Sequence, residues 1–218
     1  MTTQLFIDTI PAKLRKRYTV AAYHEAGHAI TAHQLGRHLP RNVSIVPMGA
    51  SLGRVKPTPW PSSSHPDIEM TARNRALIED KIVALLAGHE AERHFTGRSN
   101  RVGAGSDFSQ AADFALRIGG DGEGATAYLK WCSFCARRSV DFNWHAIERF
   151  ARRLLEAGVL GGQKLRDALV EASLRPGMTM EQHKTLQSGL ATVAKKLAAR
   201  KAAAKKLAAA KTRPTKGS

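Results

Sequence analysis

His24-Glu25-Ala26-Gly27-His28 is the stretch on which the reading of this chain turns. Histidines at i and i+4 stand one above the other on a helical face, so both imidazoles can reach one Zn²⁺, with the glutamate projecting beside them. Such a metal lowers the pKa of its bound water from about 15.7 to roughly 7, and Glu25 is then in reach of the proton, leaving a nucleophile at neutral pH. The helix this requires is predicted over Val20 to Leu35, with Thr19 as its N-terminal cap and Gly36 as its stop. Three specified residues at fixed spacing, in a chain with nine histidines, are more specific than polar residues that happen to share a helix.

Two histidines leave the third ligand open. A third histidine six residues beyond the second is excluded, because that position is Gln34. A downstream helical glutamate is available in Ala87-Gly88-His89-Glu90-Ala91-Glu92-Arg93, as Glu90 or Glu92. Asp107, in Gly105-Ser106-Asp107-Phe108-Ser109-Gln110-Ala111, is the other candidate. Spacing does not choose among them, and an acid in a first helical turn is favoured by the helix dipole with or without a metal.

Four segments in order resemble the protease domain of the FtsH-type ATP-dependent zinc metalloproteases. Ala22-Tyr23-His24-Glu25-Ala26-Gly27-His28-Ala29 is similar to that family's zinc helix, and Val43-Ser44-Ile45-Val46-Pro47-Met48-Gly49-Ala50-Ser51-Leu52-Gly53 to the strand and turn after it. Ala87-Gly88-His89-Glu90-Ala91-Glu92 resembles a Gly-Gly-Arg-Ala-Ala-Glu stretch, and Gly105 to Ala111 the Asp-Leu segment that supplies a third zinc ligand. Over about residues 18 to 120 the resemblance implies zinc held by His24, His28 and Asp107, with Glu92 as a supporting carboxylate or the alternative ligand. It also implies hexameric assembly and ATP-driven action on polypeptides. Met48 stands where that family has arginine and Ser51 near where it has alanine, and Arg93-His94 follows Glu92 in place of acid and apolar residues.

No G-x-x-x-x-G-K-[ST] phosphate loop occurs, and no apolar run approaches the roughly 20 residues that cross a bilayer. The expectation is a peptidase without its motor or anchor, so that ATP dependence could enter only through a separate ATPase partner. With 218 residues, 43% of them hydrophobic, the chain can support one helical core and leave a tail over. Two cysteines and no basic-then-apolar opening fit a reducing cytoplasm. Cys132 and Cys135 form a lone C-x-x-C without two further ligands nearby, and read as packed thiols.

The fold expected is mainly α with a small β element. Arg41 to Val46 alternates as an edge strand or hairpin arm ended by Pro47 and Gly49, and Val43, Ser44, Ile45 and Val46 are a candidate rail for an extended substrate. A proline- and serine-rich loop follows. Ser64 with Asp67 reads as a capping box opening a helix that runs to Gly97. Helices are predicted from Asp107 to Ile118, then over about 125 to 138, 143 to 157 and 163 to 174.

The catalytic domain is drawn as residues 1 to 180 and a basic tail as 181 to 218. Residues 184 to 218 hold ten Lys or Arg and no Asp or Glu, against a net charge of +16 for the whole chain. Lys195, Lys196, Arg200, Lys201, Lys205, Lys206 and Lys211 lie in a lysine–alanine stretch able to neutralise the phosphates of DNA, RNA or an anionic lipid surface. Leu186, Leu190, Val193 and Leu197 form a short apolar stripe that could instead join protomers. The reading as a whole is a zinc metalloendopeptidase acting on unfolded or extended polypeptides. Its competitor is a nucleic-acid-associated binding protein whose peptidase fold is secondary.

Overall fold

Between Pro11 and Gly36 no proline interrupts the chain, and Ala12-Lys13-Leu14-Arg15-Lys16-Arg17 is a run of strong helix formers. In the computed structural model, which describes residues 5–36, 39–49, 52–57, 59, 70–98 and 105–174 with isolated residues up to 188, this becomes one helix, α1, Ala12–Leu35. Thr19 is therefore not a cap. The helix propagates back to Pro11, and the Thr19 hydroxyl donates to the Arg15 carbonyl at 2.9 Å. Gly36 ends the helix in the left-handed conformation, as expected.

The second long helix, α2, spans Ala72–Thr96 and stops at Gly97. Its cap is Thr71, whose hydroxyl accepts from Asn74 N at 3.1 Å. The capping box read at Ser64 and Asp67 lies outside the described residues. α1 and α2 pack through small residues. A methyl on Gly27 would lie 2.6 Å from the Ala91 Cβ, so the backbones meet there as closely as they can. Around that seam Ala22, Ala26, Ile30, Ile78, Ile82, Ala87 and Ala91 are buried in the core. Tyr23 stacks on Phe95 of α2, with ring centroids 3.9 Å apart, and on Trp144, at 5.4 Å.

The remaining helices are α3, Gly105–Gly119; α4, Gly122–Phe142; α5, Trp144–Ala157; and α6, Gly162–Ser173. Asp121 opens α4 by accepting from Gly124 N at 2.6 Å, three residues before the expected start. The architecture is mainly α with one small sheet. No described helix is long and apolar enough to cross a membrane.

That sheet corrects the sequence reading. Strand β1, Pro40–Ser44, is the centre of three, in the order β2-β1-β3, with β2 at Arg54–Pro57 and β3 at Val159–Gly161. Val43 is opposite Val55 on one side and Leu160 on the other, and Ser44 is opposite Arg54 and Val159. Just past the strand, Ile45 N donates to Gly158 O at 2.9 Å and Val46 N to the Ser44 hydroxyl at 3.1 Å. Val43 and Ser44 thus offer no open rail, because a strand paired on both sides has no free edge, and Ile45 and Val46 lie just past its end. β2 and β3 are the edges. β3 was not anticipated: three residues between two glycine-bounded helices carry no periodicity to read.

Residues through Ser173 form one compact unit and Leu174–Ser218 a second. Within the second, Thr179 and Gln182 make a reciprocal capping pair, with Thr179 N donating to Gln182 Oε1 at 2.8 Å and Gln182 N to Thr179 Oγ1 at 3.2 Å. Lys195, Lys196, Arg200, Lys201, Lys205, Lys206 and Lys211 lie outside the described residues.

Candidate active site

α1 turns His24 and His28 towards α2, and each imidazole is anchored there by its Nδ1. His28 donates to the Ala84 carbonyl at 2.8 Å, and His24 to Glu92 Oε2 at 3.1 Å. An imidazole whose Nδ1 carries the proton presents the Nε2 lone pair, so both rings aim the same atom type forward. The approach is made possible by glycine: any side chain at Gly88 would run into the His28 ring.

The two Nε2 atoms lie 3.1 Å apart. Asp107, in the first turn of α3, brings its Oδ2 to 3.2 Å from His24 Nε2 and 3.4 Å from His28 Nε2. Among the described residues these three form the one group of His, Cys, Asp or Glu close enough to share an ion. Ligands at about 2.0–2.1 Å from a tetrahedral zinc stand roughly 3.3 Å from one another, so the donor triangle has the size and chemistry of three zinc ligands. Burial disfavours a charge on His24, but hydrogen bonds to Asp107 and Glu92 outweigh it and raise its pKa. Asp107, half-buried, is held well below the usual carboxylate range by the two imidazoles despite its own burial. The triangle favours a cation at its centre.

The acids that spacing left open separate cleanly here. Glu92 reaches Nδ1 of His24, on the far side of the ring from Asp107. Glu90 points elsewhere, accepting from Arg93 Nε at 2.8 Å with Arg137 Nε at 3.6 Å. Glu25 is buried beside the histidines; burial raises its pKa, while His28 and His24 pull it back. Gly53, just before β2, lies directly over it, and a methyl group there would collide with the Glu25 carboxylate.

His24, Glu25, His28, Glu92, Asp107 and Gly53 line a cleft of about 470 Å³, walled by α1, α2, the start of α3 and the segment from Leu52 into β2. Arg17, Arg54 and Lys81 line it too, none of them singled out by the sequence reading. An interior glycine in a helix is a packing signal, since it costs about 1 kcal/mol against alanine, so Gly88 was detectable. The Ala84 carbonyl and Lys81 had no local signature.

Residues 12–118 match the profile of peptidase family M41, a span that includes His24, Glu25, His28, Glu92 and Asp107. They are an FtsH-type protease domain. The ATP-dependent zinc metalloprotease FtsH of Thermus thermophilus is 39% identical over 103 residues, covering 45% of this chain and 15% of that protein. FtsH 1 of Rhodopirellula baltica is 35% identical over 98 residues, 44% of this chain and 13% of its own length. FtsH 3 of Sphaerobacter thermophilus is 31% identical over 174 residues, 73% of this chain and 32% of the relative. The chain therefore spans a third or less of these FtsH proteins. In the FtsH-type domain, the HExxH helix is α1, and the C-x-x-C pair lies outside the matched span, on α4. Cys132 is buried, with its thiol pushed up to about 12, first by burial and then by Glu79.

Proposed function

We propose that this chain is a zinc metalloendopeptidase that hydrolyses peptide bonds in extended or unfolded polypeptides, with zinc held by His24, His28 and Asp107. The observation that carries the reading is the triangle of His24 Nε2, His28 Nε2 and Asp107 Oδ2, with edges of 3.1, 3.2 and 3.4 Å and Glu25 alongside in the same cleft. Bound there, zinc would act as a Lewis acid and lower the pKa of water to about 7.

The chain's own groups do the rest. Glu92 Oε2 and the Ala84 carbonyl hold the two rings in the tautomer that leaves Nε2 free. The Glu25 carboxylate accepts a proton from the attacking water as its oxygen bonds to the substrate carbonyl carbon. It delivers that proton to the amide nitrogen as the C–N bond breaks. The substrate main chain runs along β2, the edge strand whose residues line the cleft, and pairs with it by backbone hydrogen bonds. That mode of binding reads the backbone and so suits chains of varied sequence.

The test is zinc content measured together with cleavage of an unfolded protein. Wild type should hold about one zinc per chain and cleave, while Glu25→Gln should keep its zinc and lose about 10²–10⁴-fold in rate. Undiminished cleavage by that variant sinks the mechanism.

The hexamer and the separate ATPase partner belong to this proposal by family likeness, as does a cytoplasmic setting, with which free Cys132 and Cys135 agree. The division at residue 180 belongs to it as well, with residues 181 to 218 as a polyanion-binding tail carried by the ten Lys or Arg after residue 183. Removing residues 184 to 218 should abolish salt-sensitive retention on heparin. Retention with an unchanged salt slope would move the basic surface elsewhere.

A further inference from the structure

The cleft holds three acids and three cations, and they are not matched to one another. Glu92 is engaged by His24, Asp107 by both imidazoles, and Glu25 lies buried under Gly53. The cations Arg17, Arg54 and Lys81 have no carboxylate within ion-pair distance among the described residues; the Arg54 guanidinium meets the Met48 sulfur, at 3.5 Å. Arg17 and Arg54 are exposed at the mouth, where water solvates them. Lys81 is different. It sits on α2 one turn before Ala84, the residue that anchors His28, and is partly buried in the cleft wall.

A lysine stem lies easily along apolar surface, but its ammonium gives up hydration as a substrate fills the cleft and gains most from an incoming anion. Burial lowers its pKa and Asp107, a carboxylate already shared by two rings, partly restores it. An ammonium in a partly desolvated wall of the same cleft, one helical turn from the residue that anchors His28, discriminates between substrates that bring a carboxylate there and those that do not. Arg17 and Arg54 line the same cleft, and their positive charge disfavours a basic substrate side chain in it.

We propose that Lys81 is a specificity-determining residue that binds a substrate carboxylate close to the scissile bond, giving the cleft a preference for acidic over neutral and basic peptides. The inference rests on the peptidase reading above. The carboxylate has two sources, an Asp or Glu side chain or the C-terminus of the substrate.

The experiment uses zinc-loaded full chain and a set of fluorogenic peptides carrying Glu, Gln or Lys at each position flanking the scissile bond, each with a free and an amidated C-terminus. At one position kcat/KM should fall from Glu to Gln by about tenfold, the worth of one hydrogen bond to a charged group, and further to Lys. Lys81→Met should collapse the Glu-to-Gln ratio towards one, and Lys81→Glu should invert the preference towards Lys. A preference that follows the free C-terminus instead assigns the carboxylate to the chain end, with the same loss in Lys81→Met. Peptide affinity measured on Glu25→Gln should give the same ordering without turnover. The proposal is overturned if the ratio is the same in wild type and Lys81→Met. It is equally overturned if Lys81→Met lowers every peptide alike and sheds zinc, which would make Lys81 a support for Asp107. No cleavage of any peptide by zinc-loaded wild type is a failure of the peptidase reading itself, and leaves the affinity ordering to judge Lys81.

Discussion

Two clusters of titratable side chains line the packed helices, and only one of them has the form of a site. At the α1–α2 seam, His24, His28, Asp107 and Glu92 come from three helices and aim three donor atoms at one point. Between α2 and α4, Glu79 accepts from the Tyr128 hydroxyl at 2.6 Å and from Trp131 Nε1 at 3.3 Å, with Cys132 and Cys135 close enough to feel its charge. The second cluster has the residue types of a reactive centre. Its polar atoms, however, are spent on each other, and burial, with Glu79 behind it, drives both thiols away from the thiolate form. Burial of polar groups is common to both; convergence of three donor atoms on one point belongs to the first. The difference lies in packing, since Gly27 and Gly88 let two backbones approach until the rings meet, whereas α4 presents ordinary side chains to α2.

The comparison breaks if the first cluster behaves like the second. The largest effect should come from Asp107→Ala, which removes one corner of the donor triangle and should leave a protein that gives up its zinc to dilute chelator. Glu92→Ala, which only frees the far side of the His24 ring, should weaken zinc by about 10–100-fold. Competition with a chelating dye measures both. If Glu92→Ala loses more metal than Asp107→Ala, the corner has been assigned to the wrong acid.

The second cluster should answer only as structure. Glu79→Gln should cost about 1 kcal/mol of unfolding free energy in a urea titration, the usual worth of one hydrogen bond, while zinc content and cleavage stay at wild-type levels. A drop in either would make the cluster part of the site. The smallest effect is its pH dependence. The Cys132 thiol titrates near 9 when unfolded and near 12 when folded, so the folded chain holds a proton the unfolded chain has lost. Stability should therefore decline as pH rises above about 9. Tyr128, raised by burial and by Glu79, adds to the decline from its unfolded value of 10.0 upwards. Cys132→Ala should flatten the slope between pH 9 and 10; an unchanged slope would contradict the burial of that thiol.

What could be read before folding is local. His24, Glu25 and His28 are four residues of one helix apart at most, and the helical period alone sets them on one face. The stops at Gly36 and Gly97 and the mainly α composition are equally short-range. Where local reading failed, residues outside the short pattern being read were the cause. Thr19 looked like a cap because cap chemistry is local, but the helix-forming run before it carried α1 back to Pro11. Arg41 to Val46 looked like an edge because alternation reports which face of a strand is buried and is silent about its neighbours; β3, more than a hundred residues away, closed that edge.

The acids show the same division. Glu90, Glu92 and Asp107 were equivalent by spacing, and only the packing of α2 and α3 against α1 separates an oxygen that meets two Nε2 atoms from one that meets a single Nδ1 and one that turns to Arg93. These contacts join residues 68 and 83 positions apart, a separation across which no periodic pattern carries information. Helix faces are encoded within a few turns of chain. Which faces meet, and how closely, depends on the size of the residues between them, and at this seam Gly27, Gly88, Ala87 and Ala91 decide it.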